Sequence, residues 1–344
     1  MAIYKLGELF NISGGSTPPT NDKSYWNGTL KWYTPIDIKN NTHTDRMISK
    51  SFHIPIPKET VIMSSRAPIG YVGIAQDEAW HSQGVKGFVN KNDNQIANKY
   101  FYYWLLLNAK TFEKFSVGST FSEISKSQLE KLLIKIPSIE EQQKIIDIIE
   151  PLEILSAKIK STKKVIISLL KMVANNKVEK TNEPLINHLT FEKGKNGPKE
   201  FEREGTPFLD VRTLNTRIPS KFIKDQPNTF KGDILLSLDA TVGLVDWFIE
   251  GFNGYLYNLK SNHLTKTEIL LNVLNRTNKK IIEMNATGST IKHASKAKKE
   301  MLYFKLNHEW KNITNTLFKL LLVVEEIDAK KTKLHQLCVN LLIR

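Results

Sequence analysis

Two stretches of this chain repeat apolar residues every seven positions, and each stretch covers about four heptads. In the first, which follows Pro137, one series is Ile145, Leu152, Ile159, Ile166 and Val173, and a companion series three residues later is Ile148, Leu155, Thr162 and Leu169. In the second, the two series are Ile313, Leu320, Ile327, Leu334 and Leu341, and Trp310, Leu317, Val324, Lys331 and Cys338. Apolar heptads of this length predict helices that pair in a coiled coil.

The two predicted helices, over 138–180 and 308–344, are similar in length, so each can be the partner of the other. Because pairing within one chain is entropically easier than pairing two chains, we expect an antiparallel intramolecular pair. Pairing between two copies in a homodimer stays open as the alternative. The polar seam residues Thr162 and Lys331 are expected to fix the register of the pair.

The remaining segments, 1–137 and 181–307, consist of short β-rich runs bounded by Gly, Pro, Asn or Asp. Each segment also holds a helical stretch, over 98–115 and 267–284, and we expect the aromatic residues of the first stretch to lie in the core. The predicted fold class is therefore α+β, with two α/β domains in a tandem pseudo-two-fold repeat. An antiparallel two-helix coiled coil is expected to separate the domains.

Sequence matches between the two segments support a duplication. The run VIMSSRAPIGYVGI, from Val61, returns 173 residues later as ILLSLDATVGLVDW, and Asp37 matches Asp210 at the same offset. Gly118-Ser119-Thr120 returns as Gly288-Ser289-Thr290. A long period that occurs only twice indicates a duplicated domain, unlike the short periods of solenoid proteins. Two similar modules on long helices favour a protein that reads two targets a fixed distance apart.

The composition favours a polyanionic partner. The chain has 49 Lys and Arg against 35 Asp and Glu in 344 residues, a formal net charge of +14. A lysine-rich surface that reflects an AT-rich genome is the alternative explanation. The first ten residues lack the apolar core of a secretory signal, and no run of 18 apolar residues occurs. The single cysteine, Cys338, excludes an intrachain disulfide and is expected to be a small core residue. We expect a cytoplasmic protein without a membrane partner.

Catalytic motifs are almost absent. Gly194-Lys195-Asn196-Gly197 lacks the Gly-Lys-Ser/Thr ending of a phosphate-binding loop, and neither H-E-x-x-H nor G-x-S-x-G occurs. The eight histidines show no metal-ligand spacing, and no adenine methyltransferase motif or S-adenosylmethionine loop is present. We therefore predict a non-enzymatic chain with no catalytic residues, no metal and no cofactor of its own.

Polar loops in both modules carry residues that suit DNA, since Lys and Arg neutralise phosphates while Arg, Asn and Gln match base edges. Arg66, which follows β-forming residues and precedes a bend, is the first candidate for a bidentate contact with guanine, and a salt bridge is its alternative role. The other candidates of the first module are Lys31, Tyr33, Ser65, His81, Gln83, Lys86, Ser119 and Thr120. A simple turn or helix cap is the alternative for Ser119 and Thr120.

In the second module, Asp239 replaces Arg66, so this half is expected to read a different sequence, with the carboxylate accepting from cytosine or positioning a neighbouring base. The other candidates there are Lys193, Lys195, Lys199, Arg212, Asn215, Arg217, Thr241, Lys260 and Lys292.

Four segments together resemble the DNA specificity (S) subunits of type I restriction–modification systems. They are YKLGELFNISGGSTP, VIMSSRAPIGYVGIA, GSTFSEISKSQLEKLLIKIP and SIEEQQKIIDIIEPLE. The resemblance implies a target recognition domain at 1–137, a helical spacer at 138–180, a second target recognition domain at 181–307, and a second helix at 308–344. Each domain would read one half of an asymmetric bipartite site in double-stranded DNA.

The resemblance also implies partners that carry the chemistry. Two methylation subunits, which bind S-adenosylmethionine and modify adenine at N6, would dock on the helices, and an ATP- and Mg-dependent restriction subunit would complete some complexes. Candidate docking residues are Glu141, Gln142, Lys158 and Lys163. The alternative function is a two-module scaffold that binds protein or RNA and uses the helices as a spacer.

Overall fold

The computed structural model describes residues 1–40, 42–49, 54–66, 68–112, 123–289 and 291–342. Contacts divide the chain into two units. Unit 1 consists of Met1–Ile154 with Thr332–Arg344, and unit 2 consists of Leu155–Lys331. Each long helix therefore contributes one end to each unit, which differs from a division into domains and spacer helices.

Unit 1 contains nine described strands in three sheets. The strands are β1 Ala2–Lys5, β2 Phe10–Gly14, β3 Leu30–Tyr33, β4 Met47–Ile48, β5 Val61–Ser64, β6 Val72–Ile74, β7 Ala79–His81, β8 Val85–Asn90 and β9 Leu133–Ile136. The helices are α1 Leu6–Leu9, α2 Pro35–Lys39, α3 Asn98–Phe112, α4 Lys126–Lys131 and the first part of α5 Ile139–Asn176. The strand orders are β1-β9, β2-β8-β5-β6 and β4-β3-β7, and only β3 and β7 pair in parallel.

Unit 2 contains nine described strands with the same orders. The strands are β10 Val178–Pro184, β11 Thr190–Lys193, β12 Thr206–Leu209, β13 Phe222–Ile223, β14 Ile234–Leu236, β15 Val245–Asp246, β16 Phe252–Asn253, β17 Tyr257–Lys260 and β18 Leu302–Leu306. The helices are α6 Val211–Thr216, α7 Lys266–Leu274, α8 Arg276–Met284, α9 Ala297–Glu300 and most of α10 Lys311–Leu342. The orders are β10-β18, β11-β17-β14-β15 and β13-β12-β16, and β12 pairs with β16 in parallel. The chain therefore uses one sheet plan twice.

The core of unit 1 is aromatic, as expected for the stretch over 98–115. Tyr100, Phe101 and Tyr103 of α3 are buried, and the ring of Phe101 stacks on that of Phe10 at 4.1 Å. The same core includes Ile149 of α5. Burial of these rings removes a large apolar area from water, so α3 and α5 are held against the sheet mainly by the hydrophobic effect.

The apolar residues of both long helices were assigned to seam positions partly in error. Leu152, Ile159, Ile166 and Val173 on α5 lie in the pairing seam, but Ile148, Leu155 and Leu169 of the predicted companion series are exposed. The observed companions lie four residues after the main series and include polar residues: Ile149, Ser156, Lys163 and Leu170. Because polar side chains occupy part of the seam, the apolar heptad pattern follows the neighbouring stripe of the helix instead.

The same displacement by one residue occurs on α10. Ile313, Leu320, Ile327 and Leu334 are exposed, while Thr314, Leu321, Asp328 and His335 occupy the seam beside Leu317, Val324 and Lys331. The side chain of Leu341 lies outside the described residues. Thr162 is exposed and does not face the seam, whereas the side chain of Lys331 lies in the seam and is only 9% exposed.

Polar contacts in unit 2 show that α5 and α10 run antiparallel there. The Lys163 ammonium lies 2.6 Å from Glu325 and 3.1 Å from Asp328, and Lys331 donates to the Ser156 hydroxyl at 2.8 Å. Residue numbers on α5 therefore rise as those on α10 fall. The pairing is made within one chain.

The structure corrects the match between Asp37 and Asp210. Asp210 is the N-cap of α6 and accepts from the Thr213 amide, whereas Thr34 is the N-cap of α2 and Asp37 lies three residues into that helix. Thr34 and Asp210 are thus structurally equivalent. Thr34 and Asp210 each follow a strand of the mixed sheet. The nearby carboxylates both pair with a cation: Asp37 with Arg46, and Asp210 with Lys221.

Candidate nucleic-acid interface

Both units build the same turn at the end of a central strand. In unit 1 the Ser64 amide donates to the Tyr71 carbonyl, and the Gly70 amide donates back to the Ser64 carbonyl at 3.0 Å. Ser237 and Gly243 make the corresponding bonds in unit 2. Gly70 and Gly243 have φ values of 91° and 80°, a conformation that glycine adopts without strain. The turn places Arg66 in unit 1 and Asp239 in unit 2 at the end of this strand.

The turn in unit 1 holds a three-residue charge cluster. Arg66 donates through Nε to Glu123 at 2.9 Å, and the Lys86 ammonium lies 3.4 Å from the same carboxylate. Burial alone would raise the pKa of Glu123, but the hydrogen bonds and charges of Arg66 and Lys86 together outweigh it and lower that pKa. Arg66 is thus ion-paired, as its alternative role proposed, and its side chain is still half exposed.

Four candidates of unit 1 are too buried to contact DNA directly. Tyr33, Ser65 and His81 are fully buried, and Lys86 is nearly so. His81 hydrogen-bonds the Ser13 hydroxyl at 2.8 Å, and burial lowers its pKa to about 4. The prediction that these residues lie in accessible loops is therefore corrected: Tyr33, His81 and Lys86 lie on strands whose residues are mostly buried, and Ser65 directly follows such a strand.

Two further candidates of unit 1 remain accessible. Gln83 is exposed, and its side-chain carbonyl accepts from the Thr17 hydroxyl. Lys31 pairs with Asp77, whose hydrogen bond raises the pKa of the lysine. Ser119 and Thr120 lie outside the described residues.

Unit 2 places a different set of charges at its turn. The His293 ring nitrogen Nδ1 lies 2.8 Å from Asp239, and the Lys193 ammonium lies 3.6 Å from the other oxygen of that carboxylate. Lys193 and Lys298 both extend over the Tyr257 ring. Neither His293 nor Glu123 was identified from the sequence, since each meets its partner across more than 50 residues of chain.

Most remaining candidates of unit 2 are on the surface. The exposed ones are Lys195, Lys199, Arg212, Asn215, Thr241, Lys260 and Lys292. Lys260 pairs with Glu192 on the adjacent strand. These side chains can reach a phosphate backbone without rearrangement of the core.

Arg217 is a structural residue. Its guanidinium pairs with Asp246 at 2.7 Å and with Glu325 of α10 at 2.7 Å, and it lies over the Trp247 ring. Burial alone would lower the pKa of Arg217, but the two carboxylates raise it. Its charge is therefore balanced within unit 2, although the residue is exposed, and contact of Arg217 with DNA stays a prediction.

Only two of the four docking candidates are available on the helix surface. Glu141 and Lys158 are exposed. Gln142 is fully buried and bonds the main chain at Ala97, Gln95 and Pro137. Lys163 faces α10, as described above. Gln142 and Lys163 thus differ from the prediction, because the covered faces of these helices are themselves partly polar.

Throughout the described part of the chain, no cluster of three His, Cys, Asp or Glu side chains is arranged to hold a metal ion. The described helices also include none with the length and apolar character needed to cross a membrane.

Comparisons with known proteins agree with this geometry. A family model described as "Type I restriction modification DNA specificity domain" matches residues 1–169. The chain is 36% identical over 157 residues to the type I restriction enzyme MjaIX specificity subunit of Methanocaldococcus jannaschii, covering 42% of this chain and 35% of that protein. It is 30% identical over 146 residues to the putative MjaX specificity subunit of the same organism, covering 42% of this chain and 34% of that protein.

The match thus spans about a third of the length of these curated relatives. Over its whole length, the fold is similar to the crystal structure of the type I restriction–modification S subunit from M. genitalium. The TM-score is 0.66 at 16% identity, with 100% of this chain and 96% of that chain covered. The match to the type I restriction modification DNA specificity domain is thus confined to residues 1–169, just under half of the chain.

Proposed function

We propose that this chain is the sequence-specific DNA-binding subunit of a type I restriction–modification complex. The observation that carries the proposal is that the family-matched turn of unit 1 recurs in unit 2 with different exposed charges. A framework used twice with divergent polar residues suits a protein that reads two different sequences.

Each unit reads one half of an asymmetric bipartite site in double-stranded DNA. The identical sheet orders support this assignment, as do the exposed cations Lys193, Lys195 and Lys199 in unit 2 and Arg66 in unit 1. Cations of this kind neutralise phosphates and release counterions, so binding must weaken steeply with salt.

The paired helices set the spacing between the half-sites. Helix α5 alone has 38 residues, which at 1.5 Å per residue is roughly 57 Å. The antiparallel contacts with α10 in unit 2 stiffen this element. Its length fixes how many unread base pairs separate the two halves.

The same helices dock two methylation subunits. Support comes from the apolar side chains beside the seam, which are exposed in both units: Ile148, Ile154, Leu334 and Leu337 in unit 1, and Leu155, Leu169, Ile313, Leu320, Val323 and Ile327 in unit 2. Large exposed apolar stripes mark protein interaction surfaces. S-adenosylmethionine would bind the methylation subunits, while ATP and Mg would bind a restriction subunit, so this chain contributes recognition alone.

Selection from random duplexes tests the proposal. Purified full-length chain, alone and with its methylation subunit, is expected to enrich a motif made of two short blocks separated by a fixed unread spacer. The affinity should fall about 10³-fold or more between 50 and 200 mM salt if six or more phosphates are contacted. Enrichment of no sequence, or of a single continuous block, would contradict the proposed function.

A further inference from the structure

We propose that each unit reads a base edge with a cationic or imidazole side chain that a carboxylate holds in place. In unit 1 the reader is Arg66 and the positioning residue is Glu123. In unit 2 the reader is His293 and the positioning residue is Asp239. The inference rests on the proposed function and specifies which side chains carry the specificity.

The two pairs occupy equivalent places in the fold. The Ile124 amide donates to the Ser65 carbonyl at 2.9 Å, and the Ala294 amide donates to the Leu238 carbonyl at 2.8 Å. Each pair is also an isolated antiparallel bridge, Arg66 with Glu123 and Asp239 with His293. In unit 1 the reader Arg66 follows the central strand and the acid Glu123 lies opposite. In unit 2 the acid Asp239 follows the central strand and the reader His293 lies opposite, so the two roles are exchanged.

Exposure separates the reader from its holder in both pairs. The Arg66 side chain is 49% exposed and that of Glu123 33%. The His293 side chain is 59% exposed and that of Asp239 only 19%. In each pair the nitrogen-bearing side chain is the more accessible one, so it meets DNA first. If the carboxylate were the more exposed side chain, its negative charge would be repelled by the DNA phosphates.

The hydrogen bonds leave the groups that read bases available. Arg66 uses Nε for Glu123, which leaves its terminal NH₂ groups for O6 and N7 of guanine. Because a carboxylate only accepts, His293 must donate through Nδ1 to Asp239. In the tautomer with the proton on Nδ1, Nε2 is an acceptor, which suits the exocyclic amino group of adenine or cytosine.

The neighbouring lysines fit this division of roles. The Lys193 ammonium balances Asp239 in unit 2, and the Lys86 ammonium balances Glu123 in unit 1. Each carboxylate thus faces two nitrogen-bearing groups and can lie near DNA with its charge compensated. The prediction that Asp239 itself reads cytosine is replaced by its role as the holder of His293.

The test is selection from random duplexes with full-length wild type, Arg66→Ala, Arg66→Lys, Glu123→Gln and His293→Ala. Arg66→Ala should lose preference for one guanine in one block only, with discrimination falling about 10- to 100-fold. Arg66→Lys should lose that preference but retain general affinity, since it keeps the charge without the planar fork. Glu123→Gln should weaken the preference at the same guanine and nowhere else.

His293→Ala should relax one adenine or cytosine in the other block and leave the Arg66 block intact. Thermal unfolding checks that each variant folds. An affinity loss that is equal for all sequences, or relaxed positions in both blocks at once, would overturn the inference while leaving the proposed function standing. A wild type that enriches no motif overturns both.

Discussion

The two units attach the same sheets to the long helices by different chemistry. In unit 1 the attachment is largely apolar and aromatic, and its polar contacts include Tyr103 with Glu153, Lys99 with Glu150 and Gln142 with the main chain at Ala97. In unit 2 an additional network of charges joins Arg217, on the segment after α6, to Glu325 of α10 and through it to Lys163 of α5. The same sheet plan is therefore attached to the helices in two ways. Removal of a single charge should strongly destabilise only the charged attachment of unit 2.

The largest loss of stability should come from a substitution in the apolar seam of unit 2, because the charge network cannot compensate for lost apolar packing. Leu321→Ala removes a fully buried side chain and should lower the free energy of unfolding by about 4 kcal/mol. The matched control is Leu320→Ala, because Leu320 is its neighbour on α10 and is 46% exposed. Denaturant unfolding measures both. Equal losses would refute the seam register.

Removal of the arginine anchor should follow in size. Arg217→Ala leaves Asp246 without its guanidinium partner, and both it and Glu325 have side chains only 3% exposed. Breaking such a pair costs about 3 kcal/mol, at the low end of the usual range since Arg217 is itself one-third exposed. Arg212→Ala, on the exposed face of α6, is the control. Hydrogen exchange should place the loss in unit 2 and spare unit 1.

A smaller effect is expected at the anchor of unit 1. Tyr103→Phe removes the hydroxyl that donates to Glu153 at 3.0 Å and should cost about 1.5 kcal/mol, as for other hydrogen bonds to charged groups. The adjacent Tyr102→Phe should change the unfolding free energy by less than about 0.5 kcal/mol. If Tyr102→Phe proved the more damaging change, the assignment of Tyr103 as the anchor would be wrong.

The smallest effect is a pH dependence of unit 1. Burial raises the pKa of Glu153 above its ordinary 4.5, although the Tyr103 hydroxyl opposes the rise. The folded state then holds the proton more tightly than the unfolded state, so the contribution of Glu153 to stability falls as pH rises from 4.5 through the raised pKa. The stability of wild type minus that of Glu153→Gln should decrease over this interval. A difference that increases with pH would contradict the direction.

The sequence predicts the elements better than it predicts their faces. Apolar heptads located both long helices, but the seam of α10 was displaced by one residue because Asp328 and His335 interrupt its apolar pattern. Similarly, the polar run around His81 predicts an accessible loop, but His81 lies on a short strand and is fully buried. Burial of this kind depends on segments distant in sequence, so local spacing cannot report it.

Pairs that meet across the chain are beyond local patterns for the same reason. Arg66 was recognised as a candidate from its place before a bend, while its partner Glu123 lies 57 residues away. Arg212 and Arg217 are both exposed, and only Arg217 pairs with Asp246 and with Glu325 of α10, which lies 108 residues further along the chain.

The exchange of acid and reader between strands limits how such a protein can acquire a new target. If the turn holding Asp239 replaced the turn holding Arg66, two carboxylates would face each other, because Glu123 would remain opposite. The reciprocal graft would set a guanidinium against His293, with no carboxylate to hold either side chain. New specificities would then arise most readily by recombination that carries both segments of a pair together, because a change in one segment alone passes through an intermediate that has lost its ion pair.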